Sequence, residues 1–434
     1  MANTSIYRTM GTATNRNIFT LSMWVKMSKT GSDLSAYQFC DFYVSADIRI
    51  SIYHDPTDNL NCYMKGGGYE GNIFVTNAKY RDTSAWYHFV WRFDTTQATA
   101  SDRVRLYVNG ELATFASTNY PSQNFNLQQG TSSYTQYYGR YGGNTDNGFD
   151  GVMSHIHFCD GYSYSADSFG EEDSSTGEWK IKTDPNVQYG NNGHWILKDG
   201  NSVTDHSGNS LSFSTAGTLT KTEDNPSNVF ATWNSLVASY SAITYSNGNL
   251  KATYPGTWTG TNATLGALSG KYYWEIKMNT TGVNNWMGVV SENVNMSSST
   301  LYAATNGQAM MKSSGDLRIN NSETSTYGSA YSNGDIMGIA IDLDSATKTI
   351  QFYKNGTTNG SLVNLPTNMQ DTFIIPFAMG NSSSNAINHE ANFGNGYFGT
   401  TAVSSAGTNA SGNGIFEYDV PANYTALSTK GLNL

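Results

Sequence analysis

Apolar side chains in this chain recur at every second position, segment after segment, and nowhere settle into a helical repeat. In residues 19–27, Phe19, Leu21, Met23, Val25 and Met27 fall on one face, with Trp24 and Lys26 on the other. A period of two belongs to an antiparallel strand with one face on a core and the other toward water. Residues 87–93 repeat the pattern with Tyr87, Phe89, Trp91 and Phe93. Residues 103–110 turn Val104, Leu106 and Val108 inward and Arg103, Arg105 and Tyr107 outward. They end in Asn109-Gly110, a dipeptide suited to a tight primed hairpin turn. Residues 151–158 form a further strand. The pattern returns in residues 271–278, 286–291, 334–344 and 349–356, where Met337, Ile339, Ile341 and Leu343 share a face. Residues 166–169 allow one helical turn at most. The expected fold class is all-β.

The two halves share a unit. Asp94 or Asp344 closes a strand, a short polar turn follows, and the next strand ends Tyr107-Val-Asn-Gly110 or Tyr353-Lys-Asn-Gly356. Matching strand order and near-equal size imply two antiparallel β-sandwiches. Turn signals crowd the middle of the chain at Asp184-Pro185, Gly190–Gly193, Asp205–Gly208 and Asn225-Pro226. The expected organisation is a sandwich over residues 1–183, a connecting region over 184–234 with a short strand near 193–198, a second sandwich over 235–400, and a tail over 401–434. Phe416, Tyr418, Val420 and Tyr424 mark that tail as an ordered clamp.

Composition removes several classes of function. The formal charge is −10, from 24 basic and 34 acidic residues, and no basic cluster offsets it, so a nucleic-acid partner is not expected. No stretch approaches the roughly 18 apolar residues of a membrane-spanning helix, so membrane insertion is not expected either. The start, Met-Ala-Asn-Thr-Ser-Ile-Tyr, lacks a basic segment followed by an apolar one, and no secretory signal is expected. Charged residues make up 13% of the chain against about 25% in an average globular protein, while Ser, Thr, Asn, Gly and Tyr abound. Such a coat suits an extracellular β-protein, and release by lysis inside a virus particle is one route out of a cell. The three cysteines, Cys40, Cys62 and Cys159, make no disulfide framework; free buried thiols or a single Cys40–Cys62 bridge would fit.

On these stretches a resemblance can be stated. Residues 1–183 resemble a laminin-G-like (concanavalin A-like) jelly roll in residues 19–27, the Ala85-Trp-Tyr-His88 strand start, residues 103–112, Phe149–Ser154 and Phe158-Cys-Asp-Gly161. Residues 235–400 resemble a SPRY domain, also a concanavalin A-like sandwich, in Gly270–Glu275, Met287–Val290, residues 334–344, residues 349–356 and Asn392-Phe-Gly394. Residues 168–180, Asn225–Asn234 and the closing residues 421–430 make the whole similar to a family of marine tailed-phage virion structural proteins. That resemblance implies a particle component without saying which part of the particle.

Sites were sought by chemistry. Jelly-roll glycoside hydrolases carry paired carboxylates as Glu-x-Asp-x-x-Glu, because acid and nucleophile must flank one bond at about 5 Å. The nearest match is Glu171-Glu-Asp173, where Thr176 stands in place of the third carboxylate and the segment reads as a loop. His155 and His157, two apart on one strand face, could chelate a metal, but surface or inter-subunit histidines fit as well. Asp146 and Asp150 lie in a Gly/Asn loop that could serve Ca²⁺; no other cofactor is expected. Sugars stack on aromatic rings with Asn or Asp at their hydroxyls, which singles out Tyr137, Tyr138, Tyr141 and Asn144, and Trp258 and Trp286 beside Thr and Asn. Core or subunit-contact roles compete at each position. Tyr327 and Tyr331 are candidate loop contacts of the second sandwich.

The sequence therefore describes a non-enzymatic virion surface protein, a capsid decoration or fibre-type component assembled in the host cytoplasm. It is expected to pack on other virion structural proteins, to bind host surface glycans and to form homo-oligomers. A receptor-binding tail fibre or spike and a polysaccharide-degrading glycoside hydrolase are the alternatives.

Overall fold

The structure is a computed structural model and describes residues 4–31, 37–127, 134–144, 148–198, 202–254, 258–279, 284–381 and 387–433. It is 45% strand and 4% helix, against the roughly one-third helix of an ordinary domain, so the class is all-β. The chain divides into two units, Met1–Lys221 and Thr222–Leu434. The stretch expected to connect two sandwiches is thus shared out. Residues 184–221 complete the first unit, 222–234 begin the second, and the tail belongs to the second.

In the first unit an eight-stranded sheet runs in the order Phe115–Thr118, Tyr69–Lys79, Asn59–Gly66, Ile48–His54, Tyr37–Ser45, Thr135–Tyr138, Ser5–Thr9 and Ser214–Ala216. A six-stranded sheet runs His194–Ile196, Gly151–Asp160, Ile18–Met27, Tyr87–Asp94, Val104–Val108 and Glu111–Leu112. The two-residue period puts Phe19, Leu21, Met23 and Val25 of one sheet in a single core with Phe39, Phe42, Ile50 and Ile52 of the other. Phe19 stacks on Phe93 at 4.4 Å and tilts against Phe42 at 5.2 Å, so aromatic contacts bridge the layers.

The expectation of half-buried strands needs correction in the six-stranded sheet. Trp24 and Lys26, on the face turned away from the core, are only 4% and 3% exposed. Trp24 stacks on His88 at 4.6 Å, and Trp179 lies over His88 in turn. His155 and His157 are likewise buried rather than on the surface. A β-bulge after Ser154 puts His155 at φ 45°, and Trp195, Tyr189 and Phe169 cover His157. Residues 161–189 thus supply a third layer, which strand periodicity does not announce. Cys40 and Cys62 are free and buried. They flank Ile52 in one cross-strand row, two strand spacings or about 10 Å apart, beyond the roughly 7 Å span of a disulfide.

The second unit repeats the plan. One sheet of nine strands centres on Lys271–Met278, Ile336–Asp342 and Thr349–Lys354. The other runs Thr259–Asn262, Ile374–Asn381, Asn284–Ser291, Gln308–Lys312, Leu317–Ile319 and Ser322–Thr324. Trp274, Ile276, Met337, Ile339 and Ile341 meet Met287, Val289 and Ala378 in its core. The shared hairpin is physical. Asn109 and Asn355 both adopt positive φ, and each side-chain oxygen accepts the N–H that opens a neighbouring strand, His88 N (2.8 Å) or Ile336 N (2.9 Å).

The tail is a clamp. Phe416 packs edge-on against Tyr273 at 5.1 Å, and the buried Glu275 carboxylate accepts Glu417 N and Tyr418 N, each at 2.9 Å. Burial pushes the Glu275 pKa up to about 7 against those two bonds.

Acid should unfold the first unit before the second. Burial pulls His88 down to about 3, His194 to about 4, and His54 and His157 below their ordinary value. A depressed imidazole binds its proton more tightly when unfolded, so its contribution is present above pH 6.5 and is lost as pH falls. His88 and His194 each lose up to about 2 kcal/mol between pH 6.5 and 5, and His54 and His157 act in the same direction. Asp41 in this unit works the other way, its pKa raised to about 6. In the second unit His389, lowered to about 3, is opposed by the raised Glu275. Scanning calorimetry of the whole chain is expected to show the first unit's transition falling by at least about 10 °C from pH 7 to pH 5, and the second unit's by clearly less.

Candidate binding face

Each sheet has an outer face that needs cover. In the first unit the six-stranded sheet has residues 161–189 over it, with Phe169, Val187 and Trp179 packed on Val90 and Cys159. In the second unit the nine-stranded sheet is covered by Phe416, Val420 and Ala426 on Tyr273 and Ala340. The six-stranded one is covered by Val294, Met296 and Leu301 on Trp286, Met310 and Phe377. The outer face of the eight-stranded sheet differs: among the described residues it carries half-buried tyrosines and arginines.

The register lays these residues out. Tyr7, Tyr137, Asp41, Ser51, Tyr63 and Asn72 are paired across six adjacent strands. Beside that row, Thr135, Tyr43, Arg49, Lys65 and Glu70 form the next outward row. Tyr7 stacks on Tyr137 at 5.5 Å, and the Arg140 guanidinium lies 4.9 Å from the Tyr137 ring centre. Arg49 lies between Tyr63 and Tyr141, 4.6 Å from each ring centre, and donates to the Tyr141 hydroxyl. Tyr141 meets Tyr43 edge-on at 5.6 Å. The loop after Thr135–Tyr138 crosses this face at Gly142, where a Cβ would stand 2.5 Å from the Tyr43 ring; only glycine lets the backbone lie so flat. Beneath it Asp41 accepts Gly142 N (2.7 Å) and the Ser51 hydroxyl (2.7 Å). Burial raises the Asp41 pKa to about 6 despite both bonds.

Of the residues expected to hold sugar, Tyr137 and Tyr141 stand half-buried on this face, and Asn144 is exposed at the end of the same loop. Tyr138 points the other way. It is 1% exposed, and its hydroxyl lies 2.7 Å from both Gln136 Nε2 and His194 Nε2, so it belongs to the core and offers no ring face to a ligand. Trp258 and Trp286 come together in the second unit at 5.0 Å. Trp286 is 1% exposed and lies in the layer beneath; Trp258 is half-buried and stacks on Tyr302 at 4.2 Å, with Arg318 against that ring. Tyr331 is buried, its hydroxyl donating to Asn285 O and Met311 O, while Tyr327 bonds Ser361 O.

The other candidates fall as follows. Asp146 lies outside the described residues, and Asp150 is ion-paired with Lys29 at 3.4 Å. Among the described residues, no group of three His, Cys, Asp or Glu side chains is arranged to hold a metal. Glu171 lies in a strand of a small hairpin, Gly170–Glu172 with Trp179–Ile181, and Asp173 begins the loop that joins the two. Both carboxylates lie against Lys180, at 3.5 and 3.3 Å. Ser22 and His88 are in contact at 2.8 Å, but Trp179 Nε1–H donates to His88 Nδ1. The imidazole proton therefore sits on Nε2 and is donated to Ser22, the reverse of nucleophile activation.

Sequence reading missed Tyr7, Tyr43, Arg49, Tyr63 and Arg140 as partners of Tyr137 and Tyr141. The signal was present in Arg49-x-Ser51-x-Tyr53 and Asn61-x-Tyr63-x-Lys65, which alternate with Ile50, Ile52, Cys62 and Met64. The strand order that makes these segments neighbours was not.

Family comparison fits this geometry. Residues 3–167 match the concanavalin A-like lectin/glucanases superfamily in its Laminin_G_3 form, and residues 271–389 match the SPRY domain. The chain carries a laminin-G-like, concanavalin A-like domain followed by a SPRY domain. Among solved structures it is similar to the SPRY domain of human HERC1, with 21% identity, 32% of this chain and 86% of that one covered, and a TM-score of 0.27. Stonustoxin gives 19% identity, 37% and 27% coverage and a TM-score of 0.29. Domain 4 of AbnA, an extracellular arabinanase from Geobacillus stearothermophilus solved with arabinotriose, gives 18% identity, 35% and 64% coverage and a TM-score of 0.27. No match is found among curated proteins.

Replacing Asp41 should carry a pH signature. A raised carboxyl pKa means that the folded state prefers the neutral acid, so wild-type stability falls as pH rises through 6. Asp41→Asn removes that titration. Its stability cost, read by urea denaturation, is expected to be about 1–1.5 kcal/mol smaller at pH 7.5 than at pH 5.

Proposed function

We propose that this chain is a non-enzymatic surface protein of a virus particle, a capsid decoration or fibre-type component. It packs on other virion proteins and holds host surface glycans on the outer face of its eight-stranded sheet. The observation that carries the binding half of this reading is that open face, where Tyr7, Tyr137, Tyr141 and Tyr63 lie beside Asn72 and two arginines. Flat rings flanked by hydrogen-bonding side chains suit the apolar face and the hydroxyls of a sugar. Concanavalin A-like and SPRY domains both fit a carbohydrate-binding or protein-interaction role, and the order of motifs resembling marine tailed-phage structural proteins supports the virion half. The pairing of Glu171 and Asp173 with one lysine favours binding over hydrolysis at the only carboxylate pair that the sequence offered. Closed homo-oligomers would multiply weak sugar contacts into avidity.

Two measurements test this. Purified full-length protein is expected to bind at least one glycan on a host-surface glycan array, with Tyr137→Ala and Tyr141→Ala each weakening it about tenfold, in keeping with about 1.4 kcal/mol. A blank array, or release of new reducing ends from host polysaccharide, would overturn the binding reading. Immunogold labelling of particles is expected to decorate the shell; label confined to a tail tip would favour a receptor-binding fibre, and unlabelled particles would remove the virion assignment.

A further inference from the structure

We propose that the ligand of this open face is a carboxylated glycan, a chain of uronic-acid-type sugars held at Arg49 and Arg140. The inference rests on the glycan reading above and narrows it to one chemical class.

It follows from how the arginines are used. Arg81, Arg92, Arg105 and Arg318 pair with carboxylates, Arg103 is spent on the backbone carbonyls of Gln97, Ala98 and Pro121, and Arg8 donates to Ser212 O. Arg49 and Arg140 are held by rings instead, and among the described residues neither forms an ion pair. Arg49 Nη1 donates to the Tyr141 hydroxyl and to Ala46 O at 3.3 Å, and Nε of both arginines is buried, which leaves Nη2 of Arg49 and the Nη pair of Arg140 for a ligand. Aromatic faces fix a guanidinium in place without neutralising it. The Nη pair of Arg140 matches a planar carboxylate with two parallel bonds, and Nη2 of Arg49 adds a charged donor held between two rings.

The neighbouring charges do not spend these donors. Lys65, opposite Arg49 in the register, is already occupied by Asp47 and Glu70 at 2.8 and 3.2 Å. Asp41 lies below the face and gives its oxygens to Ser51 and Gly142. Tyr7 and Tyr137 extend the same row with ring faces for the sugar itself. The surface therefore combines stacking with two fixed cationic groups in a chain whose net charge is −10, so attraction is local rather than global.

Isothermal titration of the full-length protein with polymannuronate, polyguluronate and polygalacturonate oligosaccharides tests the class. The same chains with carboxyls reduced to alcohols, and dextran sulfate, serve as the other arms. At least one polyuronate is expected to bind, with at least a tenfold loss on carboxyl reduction and weak binding of dextran sulfate. Arg49→Lys keeps the charge but loses the planar guanidinium. It is expected to weaken the polyuronate tenfold with an unchanged melting temperature, and Arg140→Lys is expected to do so independently. Equal binding of native and reduced chains would overturn the class while leaving a glycan site. Equal binding of dextran sulfate with no effect of either lysine variant would mean charge attraction alone and would also overturn it. No polyuronate binding alongside a positive glycan array sinks this inference only, whereas failure of both removes the glycan reading with it.

Discussion

A β-sandwich has two inner faces that bury each other and two outer faces that do not, and the treatment of the outer faces governs this protein. Central strands such as Ile18–Met27 and Lys271–Met278 carry large side chains on both sides. In water an uncovered Trp24 or Tyr273 would forfeit roughly 1.5–3 kcal/mol of burial each. Three of the four sheets meet this constraint, two with chain from beyond the sandwich strands and one with the loop between Asn284–Ser291 and Gln308–Lys312. The fourth leaves its outer tyrosines partly open, and that difference sets the proposed binding face apart from the scaffold.

The covers use different chemistry. Over the six-stranded sheet of the first unit the contact is aromatic and imidazole-rich, with Trp24, His88 and Trp179 in one stack and His157 against Trp195 and Tyr189. Neutral imidazoles suit a dry layer because each can donate and accept once, as His88 does between Ser22 and Trp179. Over the nine-stranded sheet of the second unit the tail is pinned by the Glu275 carboxylate on two consecutive backbone N–H groups. A buried acid is costly without such donors, and here they come from the segment that buries it.

On the open face the same elements appear in another balance. Its buried carboxylate, Asp41, holds the Gly142 loop that covers it, and its guanidiniums are held by rings and kept at the surface. The loop brings Tyr141 over Arg49 and leaves Arg140 over Tyr137, so one glycine-dependent crossing organises both arginines. The side chains of the proposed binding face thus sit on strands and one anchored loop, an arrangement that keeps them ordered without a ligand.

The sequence by itself determined the strands, their inward faces and the two Asn-Gly hairpins, because a period of two and a positive-φ turn are local properties of a few consecutive residues. It also singled out Tyr137, Tyr141 and Trp258 as aromatic side chains that stand near a surface, and put Tyr138 and Trp286 with them, although a single slip of side-chain parity or one covering layer buries both. Only the tertiary structure decided which strands lie side by side. That decision joins Tyr7 to Tyr137 and Arg49 to Tyr63 and Tyr141 across gaps of up to about 130 residues. It also decided that residues 161–189 and the tail close over the outer faces, hiding His157 and Tyr273. Cover of this kind is non-local. It follows from where a distant segment finds apolar surface to bury, and no periodicity within the covered strand records it.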